Sequence, residues 1–178
     1  MQINKVGFHQ ITIGSKVPEV INAVIEIPKG SQNKIEWDEH MDALVLDRVL
    51  HSPMFYPLDY GFVPETRSED GDHLDVMVVS SGGLFPGAVM AVRPIGAIDM
   101  EDESGQDWKI IAVAAKDPRF EEIHTLEDLG AHFQKEVQHF FEQYKHLENK
   151  WVKLKGWLGK EESYRLIKEA QDRFAEEK

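Results

Sequence analysis

The hydrophobic period of this chain changes once, near Thr125, and that change limits the folds open to it. Before it, Val20–Ile27, Ala43–Leu50, Leu74–Val79, Ala88–Pro94 and Lys109–Ala115 are short, β-branched apolar runs between turn signals, so they predict strands. Turns are expected at Lys29–Asn33, Glu69–Gly71, Ser80–Gly83 and Glu103–Gly105. That close spacing suits an antiparallel barrel or sandwich rather than βαβ units. After Thr125, residues such as Leu129, Phe133, Val137, Phe140, Tyr144 and Leu147 recur at three-and-four spacing, which predicts an amphipathic helix with Thr125 and Asp128 as its capping box. Trp151–Trp157 reads as one more strand and Glu162–Lys178 as a second amphipathic helix. Strands followed by helices predict an α+β fold. Without a repeat or a linker, the expectation is a single domain over residues 1–178.

Composition excludes several classes of function. The chain sets 20 Lys and Arg against 32 Asp and Glu, a formal net charge of −12, and nucleic acid needs a basic face instead. No run approaches the roughly 20 consecutive apolar residues of a membrane span. Met1–Gly14 lacks the order of a secretion signal, and the absence of Cys removes disulfides, thiolate catalysis and Cys-based metal centres. The expected location is the cytoplasm.

The sharpest local feature is Glu69-Asp70-Gly71-Asp72-His73-Leu74-Asp75, which leads directly into an apolar strand. Extended backbone places Asp70 and Asp72 on one side, and a turn at Gly71 lets Asp75 converge with them. Clustered carboxylates repel, so such a group is stable in water or around a cation, and an all-oxygen set suits Mg²⁺ or Mn²⁺. A solvated turn is the plain alternative for these residues taken alone. An EF-hand counted from Asp70 fails, because its fifth and twelfth positions hold Leu74 and Ser81. A second acidic group, Asp99, Glu101, Asp102, Glu103 and Asp107, reads either as a solvated hairpin or as a second metal-holding rim. Lys34, Arg48, Tyr60, Lys109, Tyr144 and Lys145 sit near element ends and could hold an anion there. Metals and basic groups sharing the charge of a polyphosphate is what phosphoryl transfer needs. His51–Arg67, with Phe55, Tyr56, Tyr60 and Phe62, reads as a long packed loop. His132, His139 and His146, seven apart, mark a stripe that suits packing or a contact between copies.

Taken together, the motifs resemble the soluble inorganic pyrophosphatases of family I. They are Glu26-Ile27-Pro28, Lys34-Ile35-Glu36, Asp47-Arg48, Met54-Phe55-Tyr56-Pro57, Asp59-Tyr60-Gly61-Phe62, the Asp70–Asp75 signature, Asp102 through Lys109, and Tyr144-Lys145. The resemblance implies a five-stranded, OB-like closed β-barrel flanked by two main α-helices. It implies a hydrolase of phosphate metabolism, an Mg²⁺-dependent inorganic pyrophosphatase that splits pyrophosphate by direct attack of a metal-activated hydroxide. Asp70, Asp75, Asp107, Asp102 and Glu36 would be metal ligands and Asp72 the general base. Lys34, Arg48, Tyr60, Lys109, Tyr144 and Lys145 would hold the two phosphates, with Glu26 and Tyr56 orienting waters and ligands behind them. A homo-oligomer, a hexamer in bacteria, is implied as well. Three positions depart from the family pattern: His73 replaces Pro, which leaves the turn before Leu74 less restrained, Ile35 replaces Tyr, and Met1–Gln10 has no equivalent.

Overall fold

The computed structural model describes residues 7–177, so Met1–Val6, part of the segments read above as Met1–Gly14 and Met1–Gln10, and Lys178, the last residue of the helix expected over Glu162–Lys178, lie outside it. In chain order the elements are β1 (Ile21–Ile27), β2 (Asn33–Asp38), β3 (Ala43–Val49), β4 (Asp59–Val63), β5 (Leu74–Val79), β6 (Val89–Asp102), β7 (Gly105–Ala114), α1 (Ala131–Gln143), β8 (Val152–Leu158) and α2 (Lys160–Glu176). The ladder runs β1-β4-β5-β7-β6 and returns to β1, so five strands close into a ring, as the OB-like α+β fold requires. β8 extends the sheet outside the ring along Ala97–Asp102 of β6, and β2 with β3 forms a separate two-stranded hairpin.

The apolar runs are continuous because both faces of the wall are buried. Alternate residues point opposite ways along a strand, so Val76 and Val78 of β5 join Ile110 and Ala112 of β7 in one core, which Leu166, Ile167 and Ala170 of α2 cover. Met77 joins Ile111 and Val113 on the other face, under Val137, Phe140 and Phe141 of α1. The period that reads Val113, Ile111 therefore continues to Lys109 and Asp107, and the period of Met77 continues to Asp75. Where α1 stops covering the wall, the same face turns from apolar to charged.

Several boundaries differ from the sequence expectation. β6 does not end at Pro94: a register shift between Pro94 and Gly96 absorbs the proline, and the strand runs on to pair with β7 and β8. The second acidic group thus lies within a β-hairpin closed at Glu103–Ser104, in keeping with the turn expected at Glu103–Gly105. β2 carries only Ile35 and Trp37 among polar residues, which hides its alternation. β4 falls inside the expected His51–Arg67 loop, between Pro57 and Pro64. The pair β5–β7 is parallel, unlike its antiparallel neighbours. Asp128 accepts the N–H groups of His124 and Thr125, both at 2.8 Å, but this braces the short turn Glu127–Leu129, and α1 starts only after Gly130.

β4 approaches β1 so closely that a Cβ on Gly61 would lie 1.9 Å from the Val24 carbonyl oxygen. Gly61→Ala is expected to destabilise the barrel by about 2–3 kcal/mol through overpacking. A fall in the urea midpoint at unchanged slope would show it.

Candidate active site

At the charged end of that wall the side chains enclose a cleft of about 590 Å³. Asp75 and Lys109 are direct partners across the parallel β5–β7 pair, and Asp107 lies two residues earlier on β7. Lys109, 3% exposed, places its Nζ 2.7 Å from Asp75 Oδ2 and 2.9 Å from both Asp107 Oδ1 and Tyr60 Oη. Tyr60 Oη donates to Asp75 Oδ2 at 2.6 Å. Burial works against the ammonium, but Asp107 and Asp75 outweigh it and hold Lys109 well above the ordinary lysine range. Burial raises Tyr60 well above the usual phenol range, with Asp75 adding to it.

The acid loop bends at Gly71, whose φ is +94°, a conformation that favours glycine. Asp70 Oδ1 accepts the Asp72 N–H at 3.0 Å, and Ser68 N donates to the Asp72 carbonyl at 2.7 Å. Both acids are exposed to the cleft. Partial enclosure of its carboxyl by the cleft raises the pKa of Asp72, and the negative charges of Asp70, Asp75 and Glu36 raise it further. Asp107 is raised by burial and by Asp75 and Asp102, against the pull of Lys109. Just past the end of α1, Tyr144 reaches the floor and Lys145 donates to Asp102 Oδ2 at 2.7 Å. Burial opposes the charge of Asp102, but Lys145 and the Ser104 N–H prevail and lower its pKa.

The opposite wall is the β2–β3 hairpin. Lys34 pairs with Glu36 and lies 3.2 Å from Asp47 Oδ2. Glu26, 8% exposed on β1, accepts the Trp37 N–H at 2.7 Å. Of the residues expected at the site, all but Arg48 and Tyr56 line the cleft. Arg48 is held aside by Asp47 at 2.5 Å and Glu148 at 2.8 Å, and its Nη2 is buried with no hydrogen-bond partner among the described residues. Tyr56 packs behind the floor between Tyr60, Phe140 and Tyr144. Of the second acidic group, Asp102 and Asp107 face the cleft, whereas Asp99 binds Gln106 and Glu101 and Glu103 pair with Lys155 and Lys150. Sequence reasoning missed Asp47, Glu148, Glu39 and Arg67, whose partners are remote in sequence; only the Asp47-Arg48 motif pointed near them.

The donor set suits a divalent cation. It offers only oxygen, and the burial and neighbouring negative charge that lift Asp72 and Asp107 are what such a charge offsets. Among the described residues no three acids close around one point, and Lys109 and Lys145 occupy carboxylate oxygens instead. An ion that keeps several waters and takes one or two carboxylates plus substrate oxygens, as Mg²⁺ does, matches that arrangement.

An OB-like barrel whose charged end gathers carboxylates, lysines and tyrosines around one cleft has the make-up of a phosphoryl-transfer enzyme. A family model described as inorganic pyrophosphatase matches residues 23–175. The inorganic pyrophosphatase of Saccharolobus solfataricus is 50% identical over 163 residues, 90% of this chain and 95% of that protein. The Thermus thermophilus protein of that name is 50% identical over 150 residues, 83% of this chain and 86% of its own. A crystal structure of the inorganic pyrophosphatase from Thermus thermophilus superposes with a TM-score of 0.92 at 44% identity, over 95% of this chain and 99% of that one. The chain belongs to the inorganic pyrophosphatase family.

Burial pushes the Glu26 pKa up to about 8, against the Trp37 hydrogen bond and with help from Asp75 and Glu36. The folded state therefore keeps a proton that the unfolded chain releases near pH 4.5, and stability falls as pH rises from there to about 8. Glu26→Gln should remove this loss. The gain in unfolding free energy of the variant over the metal-free wild type is expected to grow across that pH range in urea titrations.

Proposed function

We propose that this enzyme hydrolyses inorganic pyrophosphate to two phosphates, with water as the nucleophile and no covalent enzyme intermediate. The observation that carries the reading is the juxtaposition of Asp70, Asp72, Asp75, Asp102 and Asp107 with Lys34, Lys109, Lys145, Tyr60 and Tyr144 around one cleft. In this reading the lysines and tyrosines hold the two phosphoryl groups, and Arg48 leaves Asp47 and Glu148 to join them. Asp70, Asp75, Asp102, Asp107 and Glu36 hold Mg²⁺, for which Mn²⁺ can substitute. When bound, such cations supply Lewis acidity that offsets phosphoryl charge and makes a water nucleophilic near neutral pH. Asp72 takes the proton of the attacking water; the water oxygen bonds to phosphorus, and the bridging oxygen leaves with the second phosphate. Its raised pKa supports that role, since a carboxylate of ordinary acidity is a weaker base. Tyr56 and Glu26 keep Tyr60, Tyr144 and the hairpin in place from behind.

One domain, in the cytoplasm, carries this activity in our reading. Cys-free composition suits a reducing compartment, and no helix among the described residues is long and apolar enough to cross a membrane. The chain also assembles as a symmetric homo-oligomer, a hexamer, in this reading. Phe55, Phe85, Leu147 and Trp151 are each more than half exposed, and His132, His139 and His146 are exposed too, surface that contacts between copies would cover.

Phosphate release from pyrophosphate with Mg²⁺ is expected to exceed that from ATP and from phosphomonoesters; no turnover above a metal-only blank would refute the proposal. Asp72→Asn should lower kcat by about 10²–10⁴-fold with an unchanged circular dichroism spectrum. Light scattering should give a mass near six times 20.4 kDa, and a monomer would refute the assembly.

A further inference from the structure

The two walls of the cleft come from different hydrogen-bonded units. Asp70 and Asp72 belong to the loop that enters β5 of the barrel, whereas Lys34 and Glu36 belong to the β2–β3 hairpin, which forms its own sheet. Something must set the distance between them, and His73 lies at the joint. Its ring, 10% exposed, stacks on Trp37 of the hairpin at 5.4 Å and on Phe62 of β4 at 5.0 Å, while Phe174 of α2 closes in at 6.0 Å. Trp37 and Phe62 stack on each other at 5.1 Å, so the three rings form one block spanning both units.

The polar atoms of His73 fasten the same joint. Nδ1 lies 2.8 Å from the Thr66 carbonyl oxygen and Nε2 lies 2.9 Å from Glu39 Oε1 at the end of the hairpin; both oxygens are acceptors, so the neutral ring that burial favours donates its single N–H to one of them. The same Glu39 oxygen accepts from Arg67 Nη1 at 2.9 Å, and that nitrogen also donates to the Gly71 carbonyl at 2.9 Å. Glu39 therefore grips the acid loop at Arg67 and at His73, on either side of Asp70 and Asp72. Tertiary contacts of the His73 side chain add to what holds the turn before Leu74, which the expectation of a less restrained turn did not include.

We propose that His73 is a positioning residue for the reaction: gripped by Glu39 and stacked on Trp37 and Phe62, it fixes Asp70 and Asp72 relative to Lys34 and Glu36. In this role it acts through Asp70 and Asp72, whose loop it holds. The inference deepens the proposed pyrophosphate hydrolysis and rests on it only for the kinetic consequence.

The test uses His73→Phe, which keeps a ring in the stack and loses the ring N–H, and Glu39→Gln, which weakens the grip without touching the stack. Amide hydrogen exchange at residues 68–75 is expected to accelerate at least fivefold in both variants, with thermal unfolding little changed in Glu39→Gln because Glu39 is 37% exposed on its side chain. Mn²⁺ affinity, titrated calorimetrically into metal-free protein, should fall by about tenfold, the effect of losing support behind metal ligands. kcat should fall more than KM rises. Exchange and Mn²⁺ affinity equal to wild type in both variants would overturn the proposal. A wild type without pyrophosphate turnover would refute the proposed reaction instead, while the exchange comparison would still decide whether His73 holds the loop.

Discussion

A buried ammonium organises this molecule. Lys109 is enclosed by Asp75, Asp107 and Tyr60, and each of those groups stands on the barrel wall because strand registry puts it there. Stranding such a charge by removing a partner costs about 3–5 kcal/mol, so the β5–β7 registry and the charge cluster enforce one another. The parallel pair matters for that reason: it brings Asp75, at the entrance of one strand, level with Lys109, whose strand begins on the acidic hairpin. The apolar face under α1 and the polar cleft are successive stretches of one face of the sheet, and the end of α1 supplies Tyr144 and Lys145 at their border.

The second wall depends on weaker joints. The β2–β3 hairpin is tied on this side by Trp37, through its N–H to Glu26 and its ring to Phe62 and His73, and by Glu39 to Arg67. At its outer side Phe8 packs edge-on against Trp37 at 5.8 Å, and Asp42 accepts the N–H groups of Phe8 and of the Trp37 indole, both at 3.2 Å. A wall held by ring stacking and part-exposed ion pairs yields more readily than one held by a closed ladder. That difference suits a cleft whose charges must adjust when cations and a polyanion arrive.

Much of this was legible before the fold was known. The short β-branched run Leu74–Val79 and the helical period after Thr125 located the core elements, because burial on defined faces writes itself into composition and spacing. The acid signature and the Lys, Tyr and Arg residues of the site were legible as chemistry and through the family resemblance. What stayed hidden had a physical cause in each case. β2 is half-exposed and polar, so little burial marks it; β4 is short and flanked by prolines; and β6 seemed to end at Pro94 because a bulge that absorbs proline depends on neighbours not adjacent in sequence.

The net charge shows the same division. From the sequence, −12 argued only against a nucleic-acid partner. In the fold some of those acids meet in one cleft with lysines among them, where the remaining repulsion favours divalent cations, and others pair on the surface with Lys155, Lys150 and Arg165. By itself the sequence determined the α+β class, the core periodicity and the chemical kinds of group available, because those depend on local spacing and side-chain identity. Only the tertiary structure decided that Asp75 faces Lys109, that Arg48 is drawn aside by Glu148, and that His73 joins the acid loop to the hairpin. Each is a contact between distant segments, set by strand registry and packing that no local pattern encodes.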